Sequence, residues 1–221
     1  MEVNTSSRNC LVAGSTGLIG NLLTKELVNS NDQVTALSRY ELSSTDELLT
    51  FRKIDFENEE SFKDLFLDIS DAFICLGTTI KKAGSQDDFR KVDVDYCFSL
   101  AKAASQAGVP NISIVTSIGA DSSSNNFYLK CKGEIEDKVS ALDFKSLSIF
   151  RPGLLIGARE ERRVGESIAQ FLQPWLIDPF LQGAAKKYKS VKAMDLAVSL
   201  KDYSGKQQGK KVYYFEDLIS T

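Results

Sequence analysis

The sequence predicts an α/β fold built on a doubly wound parallel sheet, and three observations carry that prediction. Short apolar runs alternate with segments of helical period along most of the chain, the order expected where each strand is followed by a crossover helix. The run Asp71 to Leu76 is nearly continuous in apolar residues, as a central strand covered on both faces requires. The first apolar run, within Asn9 to Gly20, breaks into Gly14, Gly17 and Gly20 just before a helical pattern begins. Strand, tight turn and helix in that order open a Rossmann-type fold. Residues 1–221 are expected to form a single domain in which 152–221 contribute a small C-terminal lobe, on the substrate or interface side.

Glycines at that turn leave backbone N–H groups bare at a helix N-terminus, where the helix dipole favours negative charge. The expectation is a cradle for a dinucleotide pyrophosphate. The spacing is G-x-x-G-x-x-G, with Thr16 where the common fingerprint has a second glycine. The helix that follows carries Ile19, Leu22, Leu23 and Leu27 at helical spacing to Val28, and Asn29 to Asp32 turn the chain. Gln33 to Ser38 is the second strand, whose end inspects an adenosine ribose in folds of this kind. Ser38 and Arg39 stand there. A guanidinium beside a hydroxyl suits a 2′-phosphate, whereas an acidic group accepts from a free 2′-OH. The pair favours NADP(H) over NAD, with Glu41 near enough to serve NAD.

Residues 51 to 55 are predicted as a third strand, with Asp55 and Phe56 where an adenine edge would lie; a carboxylate facing water is the competing reading. Glu57 to Leu67 reads as a helix. After Asp71 to Leu76 come Gly77, Thr78 and Thr79, and a glycine at the end of a central strand lets backbone approach a ligand. One helix is expected from the Gly84–Ser85 loop through Phe89, Val92, Tyr96, Leu100, Ala103 and Ala107, ended by Gly108 and Pro110. Ile112 to Thr116 is the next buried strand.

The chemistry concentrates in Thr116 to Glu136. Ser117 closes a strand, and Asn125 or Asn126 caps a helix on which Tyr128 and Lys132, one turn apart, share a face. A phenol of ordinary pKa near 10 exchanges protons poorly at neutral pH, and a neighbouring ammonium favours its ionised form. Ser117, Tyr128 and Lys132 are therefore the candidate catalytic residues, with the serine hydrogen-bonding a reacting oxygen while the tyrosine moves the proton. Tyr188 and Lys192 share the same spacing but follow no such strand, and are assigned to the surface.

Composition bounds the rest. A hydrophobic fraction of 43% and a charged fraction of 26% suit an ordinary globule, and a formal net charge of −3 gives no reason to expect nucleic acid or an anionic membrane as partner. Lys186, Lys187, Lys189 and Lys192 are read as a solvated face. With no histidine, a Ser-His-Asp triad is excluded and no metal site is expected. Cys10, Cys75, Cys97 and Cys131 show no C-x-x-C spacing and lie in apolar segments, as reduced core thiols would. No run suits a membrane span, and residues 1–8 contain no apolar leader segment. These features together predict a cytoplasmic protein.

Residues 143 to 151 read as a sixth strand. Glu160 to Glu166 is charged, and Ile168 to Leu181 is apolar around Pro174, Trp175 and Pro179. That stretch suits a satellite core, a flap, or a contact with a second copy or another protein. Met194 to Tyr203 is a helix and Lys211 to Phe215 a final strand.

Gly14, Gly17 and Gly20, then Ser117, Tyr128 and Lys132, then Arg151-Pro152-Gly153 resemble the extended and atypical short-chain dehydrogenases/reductases. The runs CLGTT (75–79), KAG (82–84), VDVDY (92–96), SIGAD (117–121), YLKCKGEIE (128–136) and SIFRPGLL (148–155) look like the Tat-interacting oxidoreductase-like branch, collinear over roughly residues 9–166. The resemblance implies that Gly14, Ser15, Thr16, Gly17, Leu18, Ile19 and Gly20 surround the pyrophosphate and that Arg39 meets the 2′-phosphate. Leu76, Gly77 and Thr78 would pass beside the nicotinamide ribose, which Lys132 would also hold. Pro152, Gly153 and Leu154 would flank the nicotinamide, with Thr116 beside the active serine in place of a serine. Asp93 stands where many extended members carry an asparagine, which argues against a water-linked proton relay. The expected activity is NADP(H)-dependent reduction of a small-molecule carbonyl substrate. An NADPH-sensing binding protein with an idle triad is the main alternative, and an epimerase or dehydratase the third.

Overall fold

The structure, a computed structural model, describes residues 7–62, 64–157 and 189–218. The charged stretch 160–166, the apolar stretch 168–181 with Trp175, and Lys186, Lys187 and Tyr188 lie outside the described residues.

Nine strands are described: β1 Asn9–Ala13, β2 Gln33–Ser38, β3 Leu49–Lys53, β4 Asp71–Ile74, β5 Asn111–Val115, β6 Ser146–Phe150, β7 Leu155–Ile156, β8 Val191–Lys192 and β9 Gly209–Tyr213. Seven form one sheet in the order β3-β2-β1-β4-β5-β6-β9, and every pair in it is parallel. The chain winds outward from β1 to β3, then returns to β1's other side as β4. That reversal opens a crevice beyond the carboxyl ends of β1 and β4, the place where open α/β sheets bind ligands.

Helices cover both faces: α1 Leu18–Asn29, α2 Ile80–Ala83, α3 Gln86–Arg90, α4 Cys97–Gln106, α5 Phe127–Ser140 and α6 Ala193–Tyr203. Strand alternation divides the core accordingly. Leu11, Ala13, Ala72 and Ile74 face Phe89, Leu100, Ala104, Ile135 and Val139 on one side. Cys10, Val12 and Phe73 face Leu23, Leu27, Leu196 and Leu200 on the other. The described part of 152–221 returns to the main sheet: Tyr213 of β9 stacks between Phe150, at 4.8 Å, and Tyr203, at 4.7 Å. β7 and β8 form a separate parallel pair that periodicity did not predict, because two-residue strands carry no repeat to detect.

Four elements depart from expectation. Among the described residues, Glu57 to Leu67 contains a 3-10 turn, Glu59–Phe62, and no α-helix. Asp64 and Asp68 have φ of 63° and 59°, left-handed values that an α-helix does not contain. Its apolar residues Phe62, Leu65 and Phe66 are buried all the same. The long helix predicted through Phe89 and Ala107 is α3 and α4 joined by a π-helical segment, Lys91–Tyr96. The third and last strands each begin two residues earlier than predicted, at Leu49 and Gly209.

Candidate active site

The glycine turn is built by contact rather than by flexibility alone. Gly14 has a φ of +87°, and a Cβ there would lie 2.5 Å from the carbonyl oxygen of Cys75, so β1 and the end of β4 touch through bare backbone. A Cβ on Gly20 would collide with the Gly14 carbonyl, which seats α1 against the turn. Ser15 is buried and donates its hydroxyl to the Leu37 carbonyl at 2.8 Å. Thr16 and Gly17 are exposed, and α1 has no side-chain cap at Gly17, whereas Asn126 caps α5 through the Leu129 N–H. The first N–H groups of α1, from Leu18, Ile19 and Gly20, are thereby left to an incoming anion.

At the end of β2, Ser38 is buried and accepts from the Tyr40 N–H at 3.0 Å, which shapes the turn. Arg39 is exposed with its guanidinium carbon 5.8 Å from the centre of the Tyr40 ring. Glu41 instead lies 3.3 Å from Lys53. Asp55 is exposed and accepts from the Glu57 N–H, while the Phe56 ring is buried and stacks on Tyr96 at 5.4 Å. The Phe56 side chain therefore belongs to the core.

On α5, Tyr128 is 37% exposed, its ring 5.9 Å from Phe89 and 5.8 Å from the Lys132 Nζ. Lys132 is buried and donates at 2.7 Å to Asp93, whose other oxygen accepts from the Thr78 N–H at 2.8 Å. Burial lowers the lysine pKa, but the Asp93 carboxylate, with Tyr128 behind it, more than offsets this, so Lys132 titrates above the ordinary lysine range. Ser117 is half-buried and donates to the Ile118 carbonyl at 3.2 Å rather than to Tyr128. Its loop is tied to the first turn of α5 by the Asp121 N–H donating to Leu129.

Thr116 has a role of its own. Its hydroxyl donates to Glu136 at 2.6 Å, and Glu136, 2% exposed, also takes a two-pronged contact from Arg151. The Ile118 N–H donates to the Pro152 carbonyl, so the Ser117 loop and the Pro152–Leu154 loop are joined directly. Sequence reasoning assigned nothing to Glu136. The signal available was its spacing, since 128, 132 and 136 share one face of a helix.

Gly133 makes α5 fit. A Cβ there would strike the backbone of Asp121 and Ser122, so Gly133→Ala is expected to destabilise the protein by about 1–3 kcal/mol, despite the usual helix gain from alanine. Thermal unfolding reads the sign directly.

Cys10, Cys97 and Cys131 are buried and Cys75 is half-buried. Burial pushes the Cys75 and Cys97 thiols up to about 12, so they remain protonated core groups.

A family model described as NAD(P)H-binding matches residues 14–168. The chain is 36% identical over 189 residues to Protein HTATIP2 of Rattus norvegicus, covering 83% of this chain and 78% of that protein. It is also 36% identical over 182 residues to Protein FMP52, mitochondrial, of Candida albicans, covering 79% and 80%. Among solved structures, a Thermotoga maritima UDP-glucose 4-epimerase with UDP-glucose superposes with a TM-score of 0.70 at 16% identity, covering 93% of this chain and 75% of that one. MoeE5 in complex with UDP-glucose and NAD gives 0.67 at 18%, covering 93% and 76%. These two likenesses show the same Rossmann-type fold. The relatives correct the expectation of a cytoplasmic protein, because several fungal ones are named mitochondrial. Buried thiols and a lack of apolar spans suit any reducing compartment, so those signals never distinguished one from another.

Proposed function

Because this chain belongs to the NAD(P)H-binding family, in the HTATIP2 branch of the atypical short-chain dehydrogenases/reductases, we propose that it reduces a small carbonyl compound with NADP(H) through Ser117, Tyr128 and Lys132. The observation that carries this reading is the buried Lys132 ammonium, 5.8 Å from the Tyr128 ring and tied through Asp93 to the carboxyl end of β4. The glycine turn fits a pyrophosphate, since Thr16 and Gly17 are exposed and the N-terminus of α1 is uncapped. Gly14 to Gly20 would hold that group, and Ser38 and Arg39 the adenosine end, with Asp55 and the backbone at Phe56 beside the adenine. Leu76 to Thr78, Thr116, Lys132 and Pro152 to Leu154 would line the nicotinamide end.

Bound there, the dinucleotide supplies a hydride for the carbonyl carbon. Ser117 turns its hydroxyl from Ile118 to the carbonyl oxygen, Tyr128 donates the proton, and Lys132 holds the ribose and stabilises the phenolate left behind. Residues 1–221 are read as one domain, in which the Pro152–Leu154 loop borders the substrate side while β9 belongs to the main sheet and α6 packs on it. The mitochondrial names of the fungal relatives support a mitochondrial setting, which fractionation of cells expressing the full chain would test.

NADP(H) is favoured over NAD because Arg39 is exposed beside the end of β2 while Glu41 faces Lys53. Arg39→Ala should weaken NADPH binding by about tenfold, with NADH affinity moving less than about twofold. Calorimetry reads both, and equal losses would remove Arg39 from the selection. Folded protein that takes up neither dinucleotide would overturn the whole reading. Dinucleotide binding without reduction of any compound in a broad carbonyl panel would overturn the enzymatic half.

A further inference from the structure

We propose that Asp93 is a positioning residue of this site: seated by the π-helical turn, its carboxylate fixes the Lys132 ammonium with one oxygen and, through the Thr78 N–H, the loop after β4 with the other, and so sets the ammonium and that loop beside the nicotinamide-side ribose. The inference rests on the dinucleotide reading above.

A continuous α-helix from Gln86 to Gln106 would rotate each residue by the same step. The π-helical segment Lys91–Tyr96 interrupts that step, and the Cys97 thiol reaches back to the Val92 carbonyl at 3.4 Å. Such segments widen a helix locally and recur at functional sites. Here it carries a carboxylate that is 1% exposed, an arrangement tolerated only where the charge is paired and hydrogen-bonded. Both oxygens are matched, at 2.7 Å to Lys132 and 2.8 Å to Thr78. An amide would not reproduce this arrangement, because the two donors meet different oxygens and the NH2 group would face one of them.

The partners lie where a dinucleotide must pass. Thr78 follows β4, whose end touches Gly14 through Cys75, and a Cβ on Gly77 would sit only 3.6 Å from the Asp93 carboxylate. The loop is thus closed onto Asp93 on one side and joined to the pyrophosphate turn on the other. Lys132 has three donors, of which Asp93 takes one. The other two are aimed by that anchor, which also keeps the ammonium charged.

The test compares whole dinucleotides with fragments that lack the nicotinamide ribose. Wild type, Asp93→Asn, Lys132→Met and the double variant are titrated by calorimetry with NADPH and adenosine 2′,5′-bisphosphate, and with NADH and ADP, each protein first checked for cooperative melting. Asp93→Asn is expected to weaken the preferred dinucleotide by about tenfold, the worth of one charged hydrogen bond, while its fragment changes by less than about twofold. The double variant should bind no more weakly than Lys132→Met, because without the ammonium the amide oxygen is free to accept from the Thr78 N–H. Unchanged dinucleotide affinity in Asp93→Asn, or an equal loss of dinucleotide and fragment, would overturn the proposal. Should Asp93→Asn fail to fold with its unpaired ammonium, Asp93→Ala on the Lys132→Met background, which also removes the Thr78 acceptor, is compared with Lys132→Met: a further loss of dinucleotide affinity with the fragment unchanged supports the proposal, and equal affinity overturns it. Wild type that binds neither dinucleotide would instead overturn the functional reading itself, so the two failures are distinct.

Discussion

Tyr128→Phe is expected to lower carbonyl reduction by about 10²- to 10⁴-fold, the usual worth of a positioned proton donor, with dinucleotide affinity changed by less than about twofold. The phenyl ring keeps the contacts with Phe89 and with the Lys132 ammonium, at 5.9 and 5.8 Å. Only the hydroxyl is lost, and it makes no hydrogen bond to another described residue. A fall in kcat with little change in binding therefore isolates proton transfer from packing. The measurement is steady-state oxidation of NADPH alongside calorimetric titration. Retention of more than about one tenth of the wild-type kcat would remove Tyr128 from the proton transfer.

Glu136→Ala is expected to destabilise the protein by about 3–5 kcal/mol, as removal of one partner from a buried ion pair does. That corresponds to a melting temperature lower by roughly 6–20 °C for a chain of this size. The carboxylate is the shared acceptor for the Thr116 hydroxyl and the Arg151 guanidinium. Its loss leaves the buried hydroxyl with only a 3.3 Å contact to the Phe150 carbonyl and the largely buried guanidinium with only a 3.3 Å hydrogen bond to the Tyr214 hydroxyl. Thr116→Val should add little on the Glu136→Ala background, because the hydroxyl's shorter hydrogen bond is already gone and only the 3.3 Å contact to the Phe150 carbonyl remains. A loss below about 1 kcal/mol would mean that water satisfies Arg151 and that the network does not brace the two loops.

The parts of the fold that local chemistry dictates were legible in the chain. Gly14, Gly17 and Gly20 marked the turn because close backbone approach excludes a Cβ at Gly14 and Gly20. Asp71 to Leu76 announced a central strand because both of its faces are covered. Less visible were features whose cause lies elsewhere in space. Phe62, Leu65 and Phe66 are core residues, as their spacing suggested, yet Asp64 and Asp68 adopt left-handed backbone that breaks the helix. The π-helical segment leaves no periodic trace, since its apolar positions still match an ordinary helix closely enough.

The candidate site divides along the same line. By itself the sequence determined that Tyr128, Lys132 and Glu136 share one helical face, since steps of four residues complete about one turn of the α-helix. Local rules would pair Lys132 with Glu136 along that helix. Only the tertiary structure sends Lys132 to Asp93 on the π-helical turn and Glu136 to Thr116 and Arg151 at the ends of β5 and β6. The reason is burial: once these charges leave water, each must take the partner that satisfies it most fully, and those partners are distant in sequence.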